Sequence, residues 1–187
     1  MRIGVDVMGG DHSPDEILKG CFDALDLLAG DDTLVLIGDE AVIAEHLAER
    51  GVSGAPIEIA HAPGIIGMDE SPSRAVRTKL DSSIVRMALL GSHKQDKAGT
   101  EHCDVVLSAG NTGACVAAGI MHMKRLPGVH RPGIAVTIPA FHGPVVLCDA
   151  GANTAPKGTH LWQYGVMADV YAREVLGIQI GRASCRE

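Results

Sequence analysis

The chain has 187 residues, 46% of them hydrophobic and 21% charged, enough for one α/β domain with a substantial core and short for two full ones. A formal net charge of −7 and only 3% aromatic residues argue against nucleic acid as a partner, since a phosphate backbone is repelled and bases find few rings to stack on. No stretch reaches the roughly 18 uninterrupted apolar residues of a spanning helix, and the start carries no basic-then-apolar leader, so a cytoplasmic protein is expected.

In chain order, residues 2–7 read as a strand that breaks into the loop Gly9-Gly10-Asp11-His12-Ser13-Pro14. A helix follows, with Ser13 as its cap, Pro14 in its first turn and an apolar stripe of Ile17, Leu18, Cys21, Phe22, Leu25 and Leu28. Residues 33–37 give a buried strand, 40–50 a helix stopped by Gly51, and 57–60 a further strand. The alternation predicts a mainly parallel, Rossmann-like sheet in an α/β fold. Residues 68–79 open with a cap-and-proline signature and place Arg74, Arg77 and Lys79 on a short basic helix. Asp81-Ser82-Ser83 caps an apolar helix over 84–90, and the polar stretch 91–101 is a surface loop or ragged helix end. A strand at 105–107 runs into Ser108-Ala109-Gly110-Asn111-Thr112-Gly113-Ala114, a glycine-rich turn leading a helix of small residues to Met123. Strands at 134–138 and 145–148, joinable as a hairpin through Phe141-His142-Gly143, precede Asp149-Ala150-Gly151-Ala152-Asn153 and a last helix over 160–176. Residues 180–187 match the in-frame translation of a common sequencing adapter. The reading therefore assigns 1–178 to the N-terminal portion of one α/β domain and sets 179–187 aside as a non-native tail.

Three strands thus end in small-residue loops, each with a side chain able to aim at a ligand: Asp11, Asn111, and Asp149 or Asn153. In an open parallel sheet such ends face one crevice, where free backbone N–H groups suit an anion, and phosphate is the natural guest. Glycines after strands also simply make tight turns, and either reading fits any one loop alone. The local cations are Arg74, Arg77, Lys79 and Arg131, although Arg74 and Lys79, five apart, do not share quite the same helix face. Cys115 sits just inside a helix and invites a thiol-nucleophile reading, but free cysteine in an apolar run is more often a small hydrophobe. Five widely spaced cysteines without a C-x-x-C pair, and nine scattered histidines, suggest neither disulfides nor a metal site.

Taken together, residues 3–11, Asp69-Glu70-Ser71-Pro72, Lys79-Leu80-Asp81-Ser82-Ser83, residues 108–114, Arg131-Pro132 and residues 149–153 resemble, in order and spacing, the bacterial acyl-ACP:phosphate acyltransferase (PlsX) family. The resemblance covers about residues 1–178, and the family continues well beyond them. It implies a three-layer α/β/α sandwich, a homodimer, no cofactor, and peripheral contact with the inner face of the membrane through the C-terminal part. The implied reaction moves an acyl chain from acyl carrier protein to inorganic phosphate, yielding acyl phosphate for phospholipid synthesis. On the matched positions it implies Lys79, Asn111 and Asp149 as catalytic candidates. Gly9, Gly10, Asp11, Arg74, Gly110, Thr112, Gly113 and Asn153 are then candidates for binding phosphate or the acyl substrate. Within residues 91–101 the stretch 92–100 departs from the family's usual run as an inserted loop.

Two competing readings stay open. Phosphotransacetylase-like or dehydrogenase-like chemistry suits a similar sheet, though Gly9-Gly10-Asp11-His12 is not the G-x-G-x-x-G of a dinucleotide site. A non-catalytic module that binds phosphate or a carrier protein is the other.

Overall fold

Parallel pairing of four apolar strands organises the first half of the chain. The computed structural model describes residues 1–93 and 101–178; the inserted stretch from 94 onward and the adapter-like tail lie outside them, apart from Ser92 and His93 at the insert's start. Two compact units result, Met1–Lys124 and Arg125–Glu187.

In the first unit, strands β1 (Arg2–Asp6), β2 (Thr33–Gly38), β3 (Ile57–His61) and β4 (Val105–Ser108) form one sheet in the order β3-β2-β1-β4, every pair parallel. Helices α1 (Asp15–Asp23), α2 (Glu40–Glu49), α3 (Pro72–Thr78), α4 (Ser83–Leu90) and α5 (Thr112–Ala118) supply the flanking layers. Strand β2 shows why both faces are covered. Leu34 and Leu36 pack with Leu18, Cys21 and Ile43 of α1 and α2. Val35 and Ile37, on the opposite face, pack with Met87 and Leu90 of α4 and with Cys103. A strand buried on both faces reads as a continuous apolar run rather than an alternating one, and each such side chain stabilises the fold by about 1.5–3 kcal/mol.

Local differences from the sequence reading have identifiable causes. Ser13 does not cap α1: its hydroxyl donates to the carbonyls of Met8 and Gly10, both at 3.0 Å, closing the glycine loop, and Pro14 takes the cap position without a side-chain bond. The basic helix is shorter than 68–79, because residues 67–70 form a turn before Pro72 starts α3. The helix expected to reach Met123 is α-helical only to Ala118 and continues as a π-helical turn, Gly119–Met123.

The second unit holds β5 (Ala135–Ala140), β6 (Gly143–Cys148) and α6 (Gly158–Glu174). The two strands pair antiparallel, from Ala135 opposite Cys148 to Ala140 opposite Gly143, as their own two-stranded sheet. Phe141 and His142 alone connect them, far too few residues for a parallel crossover. The loop 149–153 therefore does not follow a strand of the parallel sheet. Among the described residues, no helix is long and apolar enough to cross a membrane.

Candidate functional site

The register of the parallel sheet brings two glycine loops together. Asp6, the last residue of β1, pairs with Ser108, the last of β4. The Asp6 carboxyl group is fully buried; its Oδ2 accepts the Ser108 hydroxyl at 2.7 Å and its Oδ1 accepts the Met8 N–H at 3.1 Å. Ser108 Oγ in turn accepts the Gly110 N–H at 3.0 Å. One buried carboxyl group thereby shapes both loops. Their backbones touch at Gly9 and Gly110: a Cβ built on Gly9 would lie 2.5 Å from Asp6 Oδ2 and 2.9 Å from the Gly110 nitrogen.

Asn111 joins this pair of loops to a third segment. Its Oδ1 accepts the Ala114 N–H at 3.0 Å, capping α5. Its Nδ2 donates to the Gly67 carbonyl at 3.0 Å, with the Met68 and Glu70 carbonyls at 3.4 and 3.5 Å. The side chain is thus buried and bonded at both ends. Gly113 packs on Pro72, where a Cβ would come within 2.6 Å of the ring.

Lys79 is tied to the same segment. Its Nζ donates to Glu70 Oε1 at 2.6 Å and to the Ile65 carbonyl at 2.8 Å, while Glu70 Oε1 also accepts the Gly67 N–H at 2.7 Å. The Lys79 ammonium, followed by the Gly67 amide, holds the Glu70 carboxyl below the usual range. A carboxyl group with a depressed folded pKa contributes stability above its unfolded pKa and loses it as pH falls through the folded value. Glu70→Gln is therefore expected to reduce the loss of stability between neutral pH and about pH 3, read by denaturant titration at each pH. Equal losses in both proteins would refute the assignment.

Of the remaining candidates in this unit, Gly10 adopts φ 126° beside Gly9, as only glycine does freely. Thr112 is exposed at the start of α5, and Arg74 and Asp11 project from the surface with no ion pair among the described residues. Cys115 is half-buried, and burial pushes its thiol up, away from the reactive thiolate.

Asp149 and Asn153 belong to the second unit. Asp149 Oδ1 accepts the Ile134 and Ala152 N–H groups at 2.9 and 3.0 Å; Oδ2 accepts the Asn153 N–H and Nδ2 at 2.8 and 2.9 Å. Burial pushes this carboxyl group up, but the four donors outweigh it and hold it below the ordinary aspartate value. Asn153 Nδ2 also lies 3.0 Å from the Pro132 carbonyl and 2.7 Å from the Tyr164 hydroxyl, and its Oδ1 lies 3.5 Å from the Arg131 guanidinium. Beside it is a cavity of about 260 Å³ lined by Arg131, Ala152, Asn153, Thr154, Ala155, Lys157 and His160.

The structure thus joins Gly9, Gly110, Asn111, Gly113 and Lys79 through one chain of contacts in the first unit. It gathers Asp149, Asn153 and Arg131 in the second. Sequence reasoning missed Glu70 as the partner of Lys79, and Lys157, His160 and Tyr164 altogether. Glu70 stands in a quoted motif, but no local spacing links it to a residue nine positions on.

A parallel sheet flanked by helices, with glycine loops apposed at the ends of two neighbouring strands, defines a Rossmann-like α/β protein. The chain belongs to the family described as fatty acid synthesis protein, whose pattern matches residues 1–184. It is similar to proteins named phosphate acyltransferase: 41% identical over 179 residues to that of Desulfitobacterium hafniense, covering 96% of this chain and 51% of the relative. The corresponding proteins of Nitratidesulfovibrio vulgaris and Desulforamulus reducens are 40% and 42% identical, covering 96% and 95% of this chain and 50% of each relative. The chain spans about half the length of the curated relatives it matches.

Proposed function

We propose that the protein containing this chain is a phosphate acyltransferase that moves an acyl group from the thioester of acyl carrier protein to inorganic phosphate. The product, acyl phosphate, feeds phospholipid synthesis. A homodimer at the cytoplasmic face of the membrane is part of the same reading. The observation that carries it is the 40% identity over 182 residues to a protein named phosphate acyltransferase. In the reaction a phosphate oxygen attacks the thioester carbon, the C–S bond breaks, and the carrier's thiolate leaves and takes up a proton.

The contact of Gly9 with Gly110 supports this reading, because it sets side by side two strand-end loops that each lead into a helix N-terminus, the kind of end that suits a phosphate. Lys79, held by Glu70 and the Ile65 carbonyl in the segment that Asn111 also reaches, is in this reading the cation that exchanges its Glu70 partner for the charge developing on phosphate or the carbonyl oxygen. Asn111 acts as a positioning residue, since both ends of its amide are spent on α5 and on residues 67–70. Asp149 also positions, because its four accepted hydrogen bonds fill its oxygens.

The test is incorporation of radiolabelled phosphate into a lipid-soluble product from palmitoyl-acyl carrier protein by the full-length protein that contains these residues. Product that requires both substrates is expected; saturable phosphate binding without product would instead favour a non-catalytic binding module. Lys79→Ala is expected to lower turnover by about a hundredfold, and Cys115→Ala to leave it near the parent value. The reverse pattern would install a thiol nucleophile in place of direct attack by phosphate.

A further inference from the structure

We infer that the second unit carries an oxyanion pocket of its own, lined by Arg131, Lys157 and His160, that takes a phosphate group. Three observations converge on it. The chain is acidic overall, yet between Arg125 and His160 the sequence carries Arg125, Arg131 and Lys157 against the single acid Asp149. That acid's oxygens are taken by four donors, and it forms no ion pair with Arg131 or Lys157 among the described residues. Among the described residues neither Arg131 nor Lys157 forms an ion pair; Arg131 reaches only the Asn153 amide oxygen, at 3.5 Å.

His160 supplies the third element. It is nine-tenths buried in the cavity wall. Its Nδ1 accepts the Lys157 N–H at 3.2 Å, which fixes the neutral tautomer with the proton on Nε2. That Nε2–H has no protein acceptor among the described residues and is not sealed from solvent, so it is available to donate to a ligand in the cavity that His160 lines. Burial, together with the positive charges of Arg131, His130 and Lys157, holds the imidazole below its usual pKa, as expected where cations converge without an anion. A guanidinium fork, an ammonium and a ring N–H around one space form a donor set for tetrahedral oxyanions. The volume of about 260 Å³ compares with roughly 30 Å³ for one water in the liquid, so a phosphate fits with part of the group it esterifies.

Phosphate, rather than carboxylate, rests on the acyltransferase reading; the presence of an anion pocket does not. Two phosphates share this chemistry, the inorganic ion and the monoester of a carrier's phosphopantetheine arm. The test follows the His160 imidazole nitrogens by NMR in the 187-residue chain, assigned through His160→Gln, during titration with inorganic phosphate, pantetheine 4′-phosphate and acetate. Saturable shifts with at least one phosphate are expected. Arg131→Gln and Lys157→Gln should each weaken binding about five- to tenfold with the far-ultraviolet spectrum unchanged, while Arg131→Lys and Lys157→Arg should retain most of it. The tighter-binding phosphate identifies the source. No saturable shift, no effect of either charge-removing variant, or an equal response to acetate overturns the proposal. Phosphate binding here in a protein that makes no acyl phosphate would instead sink the acyltransferase reading and leave the pocket standing.

Discussion

Gly9→Ala is expected to destabilise the first unit by about 3 kcal/mol and to remove phosphate transfer, although it adds one methyl group. That methyl would sit 2.5 Å from Asp6 Oδ2 and 2.9 Å from the Gly110 nitrogen, and neither neighbour is a flexible side-chain end. Asp6 is fully buried and bonded to Ser108 and Met8, and Gly110 is backbone fixed by Ser108. The strand ends must therefore separate, or the Asp6 bonds must break. Gly20→Ala in α1 is the matched control: a Cβ there meets nothing within 4 Å, so helix propensity should add about 0.5–1 kcal/mol. Denaturant midpoints of the two variants, moving in opposite directions from the parent, are the measurement. A Gly9→Ala midpoint equal to the parent's would show that the loops are not in contact.

The strand–loop–helix order of the first unit was readable because each element carries its own local signal. The run at 33–37 is apolar throughout since Leu34 and Leu36 face one helix layer and Val35 and Ile37 the other. The glycine-rich turn before a run of small residues announced a helix, and α5 starts there, capped by an Asn111 that the sequence offered only as a ligand-facing side chain. Local signal failed where a side chain had a stronger partner elsewhere. Ser13 has the right type and place for a cap, but its hydroxyl closes the preceding glycine loop instead. Lys79 reads as one of several solvated cations, yet an ion pair nine residues back in the chain fixes it, and Arg74 has no such partner among the described residues. The cavity beside Asn153 was hidden for the same reason. Arg131, Lys157 and His160 are spread over thirty positions, and only the hairpin and the start of α6 bring them to one wall.

Asp149 gives the sharpest separation between chemistry and architecture. Asp149→Ala is expected to destabilise the second unit by about 2–4 kcal/mol, because the N–H groups of Ile134, Ala152 and Asn153 and the Asn153 amide lose one shared acceptor. Asp149→Asn should rescue little of this. Whichever oxygen becomes an amide nitrogen, a donor then faces two donors. The carboxyl group's depressed pKa gives an independent check: its contribution is present above the unfolded aspartate value and is lost as pH falls through the lower folded one. The parent should therefore lose amide protection at Ile134, Ala152 and Asn153 on acidification, while Asp149→Asn should show weak protection at neutral pH with little further change. Hydrogen exchange read amide by amide measures both. If Asp149→Asn kept full protection while abolishing turnover, the carboxylate would be acting on substrate, and its place as the hub of this loop would be wrong.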